Sequence, residues 1–288
     1  MSYLLGAILL QVWNANLLKI GESRRQRRMV VIGFNYLSAT AIAAVLWAME
    51  GGAAPAGITW IFGAVAGFFY ATALFFFMAA IARSGLALST AGMRLSVLWP
   101  VLLSLAAFGE VPTALQWSGI GLTLTVVAML GRTGLRASRS AQGGLSGRLL
   151  LLALFLCMGG GLSTLKAFSE MDSPANRSAM LALLFASAGI MCWAVIAGQN
   201  MGPAGDNRRI DGRDALMGLL FGVGNVASNA FLLLGLEQVD GVVAFPLVNI
   251  GVILLNSLSG VLLWRERLGR VETAALAVAT LAIVLMTL

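Results

Sequence analysis

Ten apolar stretches follow one another along this chain, and sixteen of its nineteen Lys and Arg residues fall in every second gap between them. That alternation describes a polytopic membrane protein, because basic residues in short loops stay on the cytoplasmic side of a bilayer. The basic gaps hold Lys19 with Arg24, Arg25, Arg27 and Arg28; then Arg83; then Arg132, Arg136, Arg139 and Arg148; then Arg208, Arg209 and Arg213; then Arg265, Arg267 and Arg270. The other gaps hold only Lys166 and Arg177, and Arg94 lies inside a stretch. Both termini are therefore expected outside the cytoplasm, with the connection around Arg139 inside. Composition agrees: 59% of residues are hydrophobic and 11% charged, and the mean hydropathy is +0.90. A bilayer can face that much apolar surface, whereas a water-soluble core cannot enclose it. The net charge of +7 is carried at helix ends, so it is assigned to the membrane surface and not to nucleic acid.

The expected spans run 2–20, 29–48, 58–81, 86–107, 113–131, 148–168, 178–199, 214–235, 241–263 and 270–287. Met1 to Leu10 lacks a basic leader and a small-residue cleavage site, so it reads as the first span. Residues 132–147, rich in Arg, Ser and Gly, read as a cytoplasmic linker between a first half (1–131) and a second half (148–288). Glycines such as Gly63, Gly67, Gly119, Gly121, Gly222 and Gly224 are expected to let helix backbones approach closely in lipid. Cys157 and Cys192 lie in apolar stretches and read as packing residues. The chain contains no His, which removes histidine catalysis and His-ligated metals. With no P-loop and no large catalytic loop, neither an enzyme nor an ATP-driven pump is expected, and no cofactor.

Two halves of five spans must be inverted relative to each other, since five is odd. Matched positions support this arrangement. Lys19 closes the first span in "NLLK", and Lys166 closes the sixth in "STLK". Gly85 and Gly241 follow the breaks between third and fourth spans of their halves, and Glu110 and Glu266 close the fourth spans. The last two pairs share an offset of 156 residues. The fold expected is all-α: ten transmembrane helices arranged as two inverted five-helix repeats.

These residues carry a family resemblance. With "GEVPTALQWSGIGLTL" from Gly109 and the stretch from Phe221 to Leu268, the chain resembles the drug/metabolite transporter superfamily, including its EamA-type and rhamnose/glucose-uptake branches. The most specific part is Gly-Asn in span eight, a Gly break, a Pro early in span nine and an acidic residue before span ten. Its basic gap after span one, and the lack of one after span two, look more like the sugar-uptake branch. The resemblance implies a ten-helix carrier with a central cavity.

Polar groups deep in a bilayer need partners or a wet cavity, so they are the candidate site. Arg94, inside span four, would cost about 2.5–3.5 kcal/mol on insertion scales if left in lipid; it is the candidate anchor for an anionic or polar substrate group. Gln11 and Asn14 share a face of span one, Asn225, Ser228 and Asn229 a face of span eight, and Asn249 and Asn256 a face of span nine. Amides both donate and accept, which suits hydroxyl-rich substrates. The expected substrate-binding set is Asn14, Arg94, Asn225, Asn229, Asn249 and Lys166, with Lys19, Glu110 and Glu266 in gating or coupling. Tyr70 and Trp99 are further candidates for the cavity wall. The function expected is a secondary active or facilitative transporter of a small polar metabolite, whether sugar, amino acid or organic anion, in a bacterial inner membrane. The alternatives are an exporter of drugs or amino acids and a non-transporting scaffold. Its expected partners are a small-molecule substrate and the lipid bilayer, with a homodimer left open.

Overall fold

The computed structural model describes residues 1–23, 28–55, 57–137, 144–200, 211–265 and 268–288. Among them all regular structure is helical: α1 (Ser2–Ser23), α2 (Arg28–Met49), α3 (Gly57–Ser84), α4 (Leu86–Leu95), α5 (Leu98–Ala107), α6 (Ala114–Ala137), α7 (Gly144–Met171), α8 (Arg177–Asn200), α9 (Gly212–Leu236), α10 (Gly241–Trp264) and α11 (Arg270–Thr287). With α4 and α5 counted as one span, these give ten helices long and apolar enough to cross a membrane. By length and composition the chain is a multi-pass membrane protein.

Helices in lipid satisfy their own backbone and turn apolar side chains outward. On α1, Leu5, Leu9 and Trp13 recur every fourth residue and are 54%, 53% and 52% exposed. That stripe marks the lipid-facing side. By contrast, Gly241 to Ile253 of α10 are all buried, so α10 runs through the middle of the bundle.

The long helix contacts cross between the two halves of the sequence. α1 packs on α9 and α10, α2 on α8 and α9, α3 on α7 and α8, and α6 on α11, while α5 touches α7 and α10. Glycine permits these close approaches. A Cβ at Gly67 of α3 would overlap Ser187 and the Leu184 carbonyl of α8. One at Gly63 would overlap Leu183, and one at Gly119 would press on Met286 and the Ala282 carbonyl of α11. Gly222 and Gly224 play the same part against α2 and α1, whereas Gly121 has no neighbour to make room for.

The expected linker is shorter than residues 132–147. α6 continues to Ala137 and α7 starts at Gly144. The first turn of α7 is held from outside: Arg83 donates to Ser146 Oγ at 2.9 Å, and Gly147 lies against Ser84. Residues 138–143, including Arg139, lie outside the described residues, as do Arg24, Arg25, Arg27, Arg208, Arg209, Glu266 and Arg267.

Both termini stand at one end of the bundle, where Met1 and Leu4 of α1 and Thr287 of α11 line a shared groove. The basic residues of the described helix ends, Lys19, Arg28, Arg83, Arg132, Arg148, Arg213, Arg265 and Arg270, belong to the opposite end.

Candidate functional site

The fourth span is interrupted next to its charge. Pro100 has no N–H to donate to the carbonyl four residues back, at Ser96, and its ring crowds that carbonyl. The ladder gives way there: Ser96 donates to Met93 and Val97 to Arg94 in tighter three-residue steps, the latter at a long 3.5 Å. The Arg94 carbonyl, weakly held by its own helix, accepts instead from Asn249 Nδ2 of α10 at 3.2 Å. Asn249 Oδ1 in turn receives the Arg94 guanidinium at 3.4 Å. One amide thus grips both the backbone and the side chain of Arg94, at the middle of the most enclosed helix.

The guanidinium opens into a cavity of about 70 Å³. Its polar lining is Gln11, Arg94 and Asn249. The rest is apolar, from Met93 and Val97 on span four, Met158 and Leu162 on α7, and side chains of α9 and α10. No acidic side chain lines it among the described residues. Ligand pockets for drug-sized molecules are commonly about 300–1,000 Å³, and this cavity is several times smaller.

Two of the expected binding residues, Arg94 and Asn249, meet here. The other amides form a separate polar chain that locks helices together. Tyr70 of α3 donates to Asn229 Oδ1 at 2.9 Å, Asn229 Nδ2 donates to Asn225 Oδ1 at 3.1 Å, and Asn225 Nδ2 donates to Asn35 Oδ1 of α2 at 3.1 Å. Asn14 is 8% exposed and lies on Gly224. With its amide oriented to suit its neighbours, it donates to the Phe221 carbonyl at 3.3 Å and accepts from Asn225 N–H at 3.1 Å. Asn14, Asn225 and Asn229 therefore spend their hydrogen bonds on α1, α2, α3 and α9, and the expectation that they line the same cavity as Arg94 is corrected. The reason is that an amide in lipid takes the nearest backbone or amide partner, and the glycines of α9 bring such partners within reach.

Lys166, near the end of α7, is fully buried and paired with both Glu110 and Glu170. Its ammonium also stands 5.4 Å from the Phe108 ring centroid. Glu110 does a second job: its carboxylate accepts from Gly241 N–H at 3.1 Å and Val242 N–H at 2.7 Å, the free donors at the start of α10. An anion is favourable at a helix N-terminus. Burial pushes the Glu110 carboxyl up, but the Lys166 ammonium and the two backbone donors outweigh it and hold the group below the usual carboxylate range. Ser104 Oγ, buried beside Gly241, has no hydrogen-bond partner among the described residues. The cluster lies at the terminal end of the bundle, away from the Arg94 cavity.

At the opposite end Lys19 lies over the Trp264 ring, 4.8 Å from its centroid. Trp264 Nε1 donates to Asn16 at 2.8 Å. Glu266 lies outside the described residues. Trp99 packs its ring on Gly159 and Tyr70 on Gly161, so both rings fill the small-residue face of α7; neither lines the cavity.

Asn35 and Glu170 escaped the sequence reading. Asn35 is 1% exposed in an otherwise apolar span, and a lone amide in that setting was signal enough. Glu170 stands four residues after Lys166, the spacing of a helical ion pair. Gln11 shares a face with Asn14 but reaches the cavity where Asn14 does not.

Fold and site together define a ten-span helical membrane protein with a cationic internal cavity. No family model matches the sequence, and no curated protein is similar to it. Twenty-eight chains of solved structures match in fold. One of them, a crystal structure, is 17% identical, with a TM-score of 0.75 over 99% of this chain and 95% of that chain. The likeness therefore extends over the whole bundle and concerns its fold alone.

Proposed function

We propose that this chain is a secondary or facilitative carrier of the drug/metabolite transporter type. It moves a small polar metabolite (a sugar, an amino acid or an organic anion) across a bacterial inner membrane by alternating access. The observation that carries this reading is Arg94, a charge deep in an apolar bundle, held by one amide at a helix interruption and facing a small, mostly apolar cavity. Intramembrane ionisable groups mark substrate pathways, and carriers of inverted repeats bind substrate at broken helices between the halves.

The choice of helix neighbours supports the inverted halves. Under a shift of five spans, α1 on α9 corresponds to α7 on α3, and α2 on α9 to α8 on α3. In the same way, α1 on α10 corresponds to α7 on α4 and α5, while α6 on α11 and α2 on α8 map onto themselves; each of these contacts is present. The two lysines follow suit. Lys166 lies by Phe108 and Lys19 by Trp264, and these rings are 156 residues apart, the offset that also relates Glu110 to Glu266. On this reading the Lys166–Glu110–Glu170 cluster is the outer gate. Lys19, with Glu266 as the counterpart of Glu110, belongs to the inner one. Both termini face outward, because the basic ends stay inside.

The test is uptake into proteoliposomes, screened across sugars, amino acids and organic anions. Arg94→Ala should abolish uptake of the substrate so identified while leaving expression and the monodisperse elution of the purified protein intact. Uptake retained by that variant would overturn the role of Arg94.

A further inference from the structure

Resting on the carrier reading above, the lining of the cavity narrows the three substrate classes to one. We infer that the Arg94 cavity binds a small organic monoanion: one carboxylate- or sulfonate-like head against Arg94, Gln11 and Asn249, and a short apolar body against Met93, Met158 and Leu162.

Charge decides first. Among the described residues, Arg94 is the only ionisable side chain lining the cavity, and its guanidinium donates to a neutral oxygen, Asn249 Oδ1, at a long 3.4 Å. A guanidinium offers five N–H donors in a planar fork that matches a carboxylate in two places. A single negative charge leaves the loaded site neutral, and in a low-dielectric interior an unneutralised charge is heavily penalised. A zwitterion such as an amino acid brings an ammonium as well. That ammonium meets no acidic side chain in the lining and would stand in the field of Arg94 at short range. The amides of Asn14, Asn225 and Asn229, which could have read an ammonium or hydroxyls, are committed to helix–helix bonds elsewhere.

Polar capacity decides next. A sugar presents a hydroxyl on nearly every carbon, and each buried hydroxyl without a partner is unfavourable. Among the described residues, Gln11 and Asn249 are the only neutral polar side chains in the lining, and Asn249 already spends its amide on both ends of Arg94. Seven of the ten lining residues are apolar. A polyol would lay most of its hydroxyls on that surface, whereas a branched or linear hydrocarbon body suits it. Met93 and Met158 add unbranched, adaptable side chains that can reshape around bodies of different outline.

The test compares three molecules of one skeleton on the purified wild-type protein by calorimetric titration: isovalerate, its neutral amide isovaleramide, and valine, which is isovalerate with an added ammonium. Glucose is the fourth probe. Isovalerate should bind at least tenfold tighter than each of the others. Arg94→Gln should lose at least tenfold for isovalerate and far less for isovaleramide, so that the preference for acid over amide collapses, while Arg94→Lys should keep part of that preference. Equal binding of acid and amide to the wild type, or tighter binding of valine or glucose, overturns the inference without recourse to any variant. Transport is read separately, with propanesulfonate as a permanently charged probe in proteoliposomes. Binding of propanesulfonate without its movement sinks the carrier reading and upholds the anion site. Arg94-dependent movement of glucose or valine, with no binding of either anion, does the reverse.

Discussion

At the scale of single residues, Lys166 and Glu110 form a buried ion pair. The lysine is fully buried, and the glutamate side chain is 10% exposed. Removing one member of a buried pair strands the other charge, typically at about 3–5 kcal/mol, while replacing both is far milder. Lys166→Met should therefore lower the melting temperature sharply, because Glu110 loses its cation. The double variant Lys166→Met with Glu110→Gln should recover much of the loss, as the glutamine still offers an oxygen to Gly241 and Val242. Thermal unfolding of the purified variants in one detergent measures this. If the double variant is as unstable as the sum of the single ones, the two residues are not coupled. The pH dependence follows from the same carboxylate. Its folded value is held below the unfolded one, about 4.3. Its contribution is thus fully present above that value and disappears as pH falls through the lower, folded value. Wild-type melting should drop on acidification below about pH 4, and Glu110→Gln should flatten that part of the profile.

At the scale of elements, the spans were legible in the sequence because lipid imposes length and hydropathy directly. The reading of span nine as 241–263 meets α10 at Gly241–Trp264, and span ten agrees from Arg270 to Thr287. Arg94 and Asn249 were also legible, since a polar group in lipid stands out whatever its neighbours. What could not be read was partner choice. Asn14 and Gln11 share one face of α1, yet Gly224 brings α9 against Asn14 and Trp13 and not against Gln11. Nor did the pattern show the helix interruption: Pro100 was visible, but the capture of the freed Arg94 carbonyl by Asn249 depends on α10 standing opposite. The small-residue seams were expected, and they are testable. Gly67 of α3 meets Ser187 and also the backbone of α8 at Leu184 and Ala188, which cannot swing away as a side chain can. Gly67→Leu should force the two helices apart, destabilise by about 1–3 kcal/mol or more as overpacking does, and lower the yield of monodisperse protein. Gly121→Leu, where nothing stands within 4 Å, should be nearly silent in the same assay.

At the scale of the whole molecule, orientation rests on where the basic residues lie. A reporter fused after Leu288 should be active only in a form that works in the periplasm, and one inserted near Arg139 only in a form that works in the cytoplasm. The reverse pattern would remove the outward placement of the termini. The two halves of the chain are not two separable bodies. α1 has its long contacts with α9 and α10, and α3 has its own with α7 and α8. The ribosome delivers these partners late. When α1 to α6 have entered the bilayer, Asn14 and Asn35 still lack α9, Arg94 lacks Asn249, and Glu110 lacks Lys166. The half-made chain carries a naked guanidinium and open amides in lipid, which are the features that insertion machinery shelters and membrane proteases seize. Substitutions on α9 and α10 are then expected to act during biogenesis as well as in the finished fold: a chain stopped before α7 should be degraded, and supplying α7 to α11 as a second polypeptide should rescue it.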